Sequence, residues 1–214
     1  MTLENPRPPV RTTYRHGDLR RALLDAGVAL ARAGGPDAIV LREATRRAGV
    51  VPNAAYRHFA GRHDLLQAVR AAALAALARA METELAQIDP ALPEADQARA
   101  ALRAIGVGYL RFAQWETGLF RTAFAVPDEV EHDVDPDKAG DSGLNPFQLL
   151  GAALDRMTAA GVLPAERRPG AEYLAWSAVH GLALLIIDGP LRGRPPEQTG
   201  AIALRVVEMV ENGL

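Results

Sequence analysis

Asn53, Tyr56, Arg57 and His58 fall within one short stretch and together could hold or read a polyanion. An Asn amide pairs bidentately with adenine, while Arg and Tyr reach phosphate oxygens or base edges. Spacing alone leaves a plainer alternative open, the polar surface of two helices in a bundle. A second group lies further along. Tyr173, Trp176, His180, Leu184 and Ile187 recur at helical spacing and share one face. Its first three polar or aromatic members either line a ligand cavity or belong to a packed seam in which His180 bonds a backbone carbonyl. Phe112, Trp115, Phe120 and Phe124 crowd a third span, with Phe147 and Met157 able to face the same space. Ligand pockets are mostly apolar and aromatic, so this group is a candidate wall for a small apolar or amphipathic effector; ordinary core is the competing reading.

Other chemistry finds little support. The chain has no Cys, which excludes disulfides, thiolate metal sites and cysteine nucleophiles and fits a reducing cytoplasm. Ser177 and His180 stand three residues apart, with Asp188 beyond, but no nucleophile elbow or oxyanion donor set accompanies them. The run Asp128, Glu129, Glu131, His132, Asp133, Asp135, Asp137 and Asp141 lacks the ligand order of a calcium loop and reads as a solvated acidic loop. No phosphate loop and no zinc spacing occurs, so neither a cofactor nor a metal is expected, and the chain does not read as an enzyme. No apolar run approaches a membrane span, and the first residues lack the apolar core of a signal peptide.

The formal net charge of −2 looks unpromising for a nucleic-acid partner, but it is a cancellation. Residues 1–80 hold 13 Arg and 6 acids, a net +7; residues 81–214 hold 11 basic residues and 20 acids, a net −9. A basic segment joined to an acidic one fits a polyanion-binding module beside a unit with another task.

The elements that must position these groups are helical throughout. Ala supplies 41 of the 214 residues and is the best helix former. Residues 1–15, with three prolines and three arginines, read as a flexible basic arm. Leu19, Leu23, Ala26 and Leu30 predict a helix over about 17–33, stopped at Gly34-Gly35-Pro36. Short helices follow over about 41–48 and 52–59, with a turn at Gly49 and Pro52 in the first turn of the second. A long helix is expected over about 62–88, then helices over 95–115, 118–125, 145–160, 167–188 and 196–212. The stretch 127–143 reads as a loop or lid. The two short helices have the layout of a helix-turn-helix, whose second helix enters the major groove.

The string from Tyr14 to Ala26, the Ala48-Gly49-Val50 turn, Ala55-Tyr56-Arg57-His58-Phe59 and Asp64-Leu65-Leu66 together resemble the tetracycline-repressor-like (TetR) family of bacterial transcriptional regulators. The resemblance covers about residues 12–70. A shorter string, Trp176-Ser177-Ala178-Val179-His180-Gly181, is similar to the Trp-His-Gly motif of one subgroup, and Phe120 to Phe124 looks like part of the same C-terminal domain.

The resemblance implies an all-α chain. A three-helix DNA-binding head with the helix-turn-helix (16–62, continuing into the next helix) would precede a helical ligand-binding and dimerisation bundle (63–214). It implies a homodimer through the last two long helices, binding a palindromic operator in double-stranded DNA and released by a small molecule. Asn53, Ala54 and Ala55 would face bases, and Tyr56, Arg57 and His58 backbone or base edges. Arg42 and Thr45 on the first helix of the pair and Arg62 on the next helix would join them at the DNA. Phe59 would instead close the head core with Leu23 and Leu66. One departure stands out. Family members commonly carry Ser or Thr before each helix of the pair, where this chain has Val40 and Val51. Two lost caps cost about 1 kcal/mol each. Hence the alternative of a small-molecule-binding helical protein whose sequence-specific DNA binding is weakened or lost.

Overall fold

The computed structural model describes residues 19–127 and 129–214, so the basic arm and Asp128 lie outside the described residues. Nine α-helices and no strand occur among them. α1 (Leu19–Gly34), α2 (Leu41–Arg47) and α3 (Pro52–Ala55) form the head with the start of α4 (Arg62–Leu85). α5 (Glu94–Trp115), α6 (Thr117–Ala123), α7 (Pro146–Ala159), α8 (Ala171–Ile187) and α9 (Pro196–Gly213) make the body.

The head folds around a small apolar centre of Leu23, Ala55, Phe59 and Leu66, all buried. Gly49 adopts φ +68°, which lets the chain reverse between α2 and α3 while Val50 N–H donates to the Thr45 carbonyl at 3.0 Å. α3 is shorter than the expected 52–59. It ends at Ala55, and the His58 and Phe59 N–H groups both turn back to the Ala55 carbonyl at 2.9 Å. Tyr56, Arg57 and His58 therefore sit on a turn after the helix.

In the body, α5 is the central rod, packed against α4, α7, α8 and α9. Gly108 makes the crossing with α4 possible, since a Cβ there would stand 2.7 Å from Met81 Cα. α7 begins at a capping box of Asn145 and Gln148. α8 starts later than the expected 167, because Gly170 at φ +76° precedes it and 165–167 forms a 3-10 turn. Leu174, Leu184 and Leu185 of α8, with Leu204 and Met209 of α9, remain exposed.

Candidate DNA-binding face and ligand cavity

On the head, Asn53, Tyr56, Arg57 and Arg42 are exposed, while Ala54 and His58 are half-buried. Val40 and Val51 occupy the N-cap positions of α2 and α3, and neither side chain caps an N–H. Both are themselves exposed. Glu43 is clasped by Arg46 (2.7 Å) and Arg47 (3.2 Å), and the Arg46 hydrogen bond is the main reason its carboxyl is pushed down to about 2.

Three expected DNA contacts are placed otherwise. Ala55 is wholly buried, turned to the Phe59 side of the head. Thr45 is buried as well, and its hydroxyl donates to the Arg42 carbonyl at 2.7 Å, as a helical Thr does when no other acceptor is near. Arg62 donates to the carbonyls of Ile39 and Pro36, both at 2.9 Å, and so staples the α1–α2 connection to α4. A further head cation, which no motif in the sequence singles out, is Arg20, whose guanidinium lies 5.4 Å over the Phe59 ring.

The body contains a cavity of about 520 Å³ between α4, α5, α7, α8, α9 and the end of α6 with the loop that follows it. Phe124, Phe147, Tyr173, Trp176 and His180 line it, as the periodicity suggests. Phe112, Trp115 and Phe120 do not. Trp115 ends α5 and points to solvent, 78% exposed, with Arg111 5.9 Å from its ring. Phe112 is ordinary core, and so is Met157. Phe120 stands one layer behind the wall, its ring 5.0 Å from Phe124 and 5.6 Å from His180.

Tyr109 completes the wall. Its buried hydroxyl lies 2.6 Å from His180 Nδ1 and accepts the Trp176 indole N–H at 3.1 Å. His180 thus bonds a phenol rather than a backbone carbonyl. Burial pushes the Tyr109 phenol up and the His180 imidazole down, so both favour their neutral forms. The available signal was an aromatic at helical spacing before Phe112, but its partners lie about seventy residues away on α8. Arg70 is a second wall residue that no sequence motif marks. It is buried in the cavity wall, donating to Gln67 and to the Val126 carbonyl at 2.9 Å.

The acidic loop closes one side. Asp133 and Lys138 pair at 2.5 Å, and Asn145 donates to the Asp133 carbonyl at 3.0 Å. Glu82 of α4 accepts from the amides of Asp141 and Ser142, each at 2.9 Å, and Tyr173 donates to Glu131. Glu129, Glu131 and His132 form an exposed surface cluster. The Ser177 hydroxyl donates to the Tyr173 carbonyl at 2.6 Å, directed away from His180.

α6 connects cavity and head. Its last residue, Ala123, and the following Phe124 line the cavity, while its first turn abuts α1, where Arg32 and Glu116 pair at 2.7 Å. Arg121 on the same helix pairs with Asp188 at the end of α8.

Comparison with known proteins fits this layout. Residues 23–69 match the family model described as "Bacterial regulatory proteins, tetR family", and residues 102–210 match "Tetracyclin repressor-like, C-terminal domain". No curated protein matches the chain. Among solved structures, a protein with unknown function from Rhodococcus sp. RHA1 is similar, at 25% identity and TM-score 0.73, over 95% of this chain and 99% of that one. The TetR family transcriptional regulator PfmR from Thermus thermophilus shares the fold, at 18% identity and TM-score 0.55, over 91% of this chain and 95% of that one.

Proposed function

From a chain that belongs to the tetR family of bacterial regulatory proteins, and is thus a DNA-binding transcription regulator rather than an enzyme, we propose a ligand-responsive repressor that binds a palindromic operator as a homodimer. The observation that carries the ligand-responsive part is the cavity of about 520 Å³, whose Ala123 and Phe124 wall is continuous with α6 and hence with the α1 face of the head. An effector that binds one spacing of the two heads better than another shifts the population between them. Exposed leucines on α8 and α9 support pairing of two copies through these helices. Half-sites would then lie about one DNA turn apart, roughly 34–36 Å. In this reading residues 16–62 are the head, 63–214 the effector and dimer unit, and the cell compartment is the cytoplasm. Asn53, Ala54, Tyr56, Arg57, His58 and Arg42 face DNA.

A second reading has its own observation. Neither Val40 nor Val51 supplies a capping or phosphate-binding hydroxyl, which favours a small-molecule-binding protein with weakened operator recognition. A gel shift comparing the gene's upstream intergenic DNA with a scrambled duplex separates the two. Preference for the upstream DNA supports the repressor, and equal weak binding of both contradicts it.

A further inference from the structure

The polar groups of the cavity wall include one hydrogen-bonded chain that is complete except at a single atom. The indole N–H of Trp176 is a donor only, so it occupies a lone pair of the Tyr109 hydroxyl at 3.1 Å. The phenolic proton then has one acceptor within reach, His180 Nδ1 at 2.6 Å. The reverse arrangement, with His180 donating from Nδ1, would strand the hydroxyl proton of a buried tyrosine without an acceptor. The chain therefore fixes the imidazole as the tautomer protonated on Nε2. Burial favours the neutral ring as well. Among the described residues no group of the protein bonds Nε2, while the ring itself lies in the cavity wall, 4.9 Å from Phe124 and 5.9 Å from Trp176.

The remaining surroundings narrow the ligand further. Tyr109, Phe124, Phe147 and Trp176 offer ring faces and edges, which suit an aromatic body. A volume of about 520 Å³ suits a compound of two or three rings. Lys138 pairs with Asp133, Arg70 turns its Nη1 and Nη2 groups to Gln67 and the Val126 carbonyl, and a neutral imidazole gives a carboxylate no charge in return for its lost hydration. Resting on the reading of this cavity as an effector site, we propose that the effector is an uncharged aromatic compound with an acceptor oxygen, of the ketone or ester class, and that His180 Nε2–H donates to that oxygen.

The proposal is tested on the full chain without DNA, by calorimetric titration with 2-acetylnaphthalene, 2-ethylnaphthalene and 2-naphthoate. One neutral hydrogen bond predicts that the ketone binds about tenfold more tightly than the hydrocarbon. His180→Phe keeps a ring in the wall and removes the donor, so the margin should vanish. Nitrogen-15 NMR of the unliganded wild-type chain reads the tautomer independently of any variant's folding: Nε2 protonated, Nδ1 not, with Nε2 shifting on addition of the ketone and not of the hydrocarbon. Equal affinity of ketone and hydrocarbon, a margin that survives His180→Phe, tighter binding of naphthoate, a proton on Nδ1, or no binding by any of the three overturns it. Failure here leaves operator recognition standing. Ketone binding through His180 that never changes affinity for the upstream DNA overturns the ligand-responsive repressor instead.

Discussion

Gly118 lies so close to α1 that a Cβ on it would stand 2.2 Å from the carbonyl oxygen of Ala31. Only a hydrogen fits between the first turn of α6 and the last turns of α1, and the Arg32–Glu116 pair at 2.7 Å clamps the same joint. Under the proposed function, a displacement at the cavity end of α6 would meet the head through a contact with no compressible side chain in it. Gly118→Ala must push the two backbones apart, at a cost of about 1–3 kcal/mol. A lower Tm and an altered operator affinity are expected, and a variant that matches the wild type in both contradicts the tight joint.

His180 should make stability depend on pH in a defined direction. Burial holds its folded-state pKa below the ordinary 6.5, so the unfolded chain binds more protons between the two values. Stability is then complete above the ordinary value and falls as pH drops below it toward the folded pKa. Urea midpoints measured across that range should slope downward with acid for the wild type and less so for His180→Phe. Parallel profiles would remove His180 as a source of the slope.

Glu82 ties the acidic loop to α4. Its carboxylate accepts from the Asp141 and Ser142 amides and from the Ser142 hydroxyl at 2.5 Å, and a Cβ on Gly140 would lie 2.5 Å from it. The Ser142 hydrogen bonds keep the carboxyl below its usual range against the opposing effect of burial. Glu82→Ala should raise the hydrogen-exchange rates of the Asp141 and Ser142 amides and leave those of α5 unchanged. Protection that persists at both amides would mean the loop is held elsewhere.

Leu174, Leu184 and Leu185 leave α8 with an exposed apolar face at 65%, 43% and 44%. Such a face is costly in water and is ordinarily covered by a partner. Light scattering should give twice the 22.9 kDa chain mass for the wild type and one chain mass for Leu185→Glu. A monomeric wild type would contradict pairing through this face.

These contacts also indicate what could be read before the fold was known. The head was legible because Gly49, Pro52 and the buried Leu23, Phe59 and Leu66 are local signals that agree with one another. In the body the start of α5 after Pro93 and the ends of α7 before Gly161 and α8 before Gly189 follow from Gly and Pro in the same way, whereas α4 ends at Leu85 rather than 88 and α6 at Ala123 rather than 125, where neither residue marks the stop. Trp115 is misplaced because spacing puts it near Phe112 and at the end of its helix but does not say which way the last side chain of α5 faces, and the ring lies outside. The sequence places Arg62 at the DNA because an arginine's charge is visible there, whereas the carbonyls it serves, Pro36 and Ile39, become acceptors only when the head closes. Tyr109 stayed hidden for the same reason, since its role exists only once α8 lies against α5.

The missing hydroxyls before α2 and α3 give a prediction in the opposite direction from most substitutions. Val51 is 69% exposed and caps nothing, so Val51→Ser creates an N-cap worth about 1 kcal/mol without opening a cavity. Operator affinity should rise and sequence preference should stay the same, because phosphate contacts position a protein on DNA without reading bases. Unchanged affinity would mean that the cap is irrelevant to docking.

The central claim, that Asn53, Tyr56 and Arg57 present a sequence-reading face to DNA, is tested most directly by fluorescence anisotropy. The labelled upstream duplex and its scrambled counterpart are titrated with the full chain at about 50 and about 200 mM salt, the interval over which phosphate contacts lose most affinity. Tighter binding to the upstream duplex at both salts, a steep loss with salt for both duplexes, and loss of the preference in Asn53→Ala are expected. Equal binding to the two duplexes, with the same salt slope and no effect of Asn53→Ala, would contradict the claim.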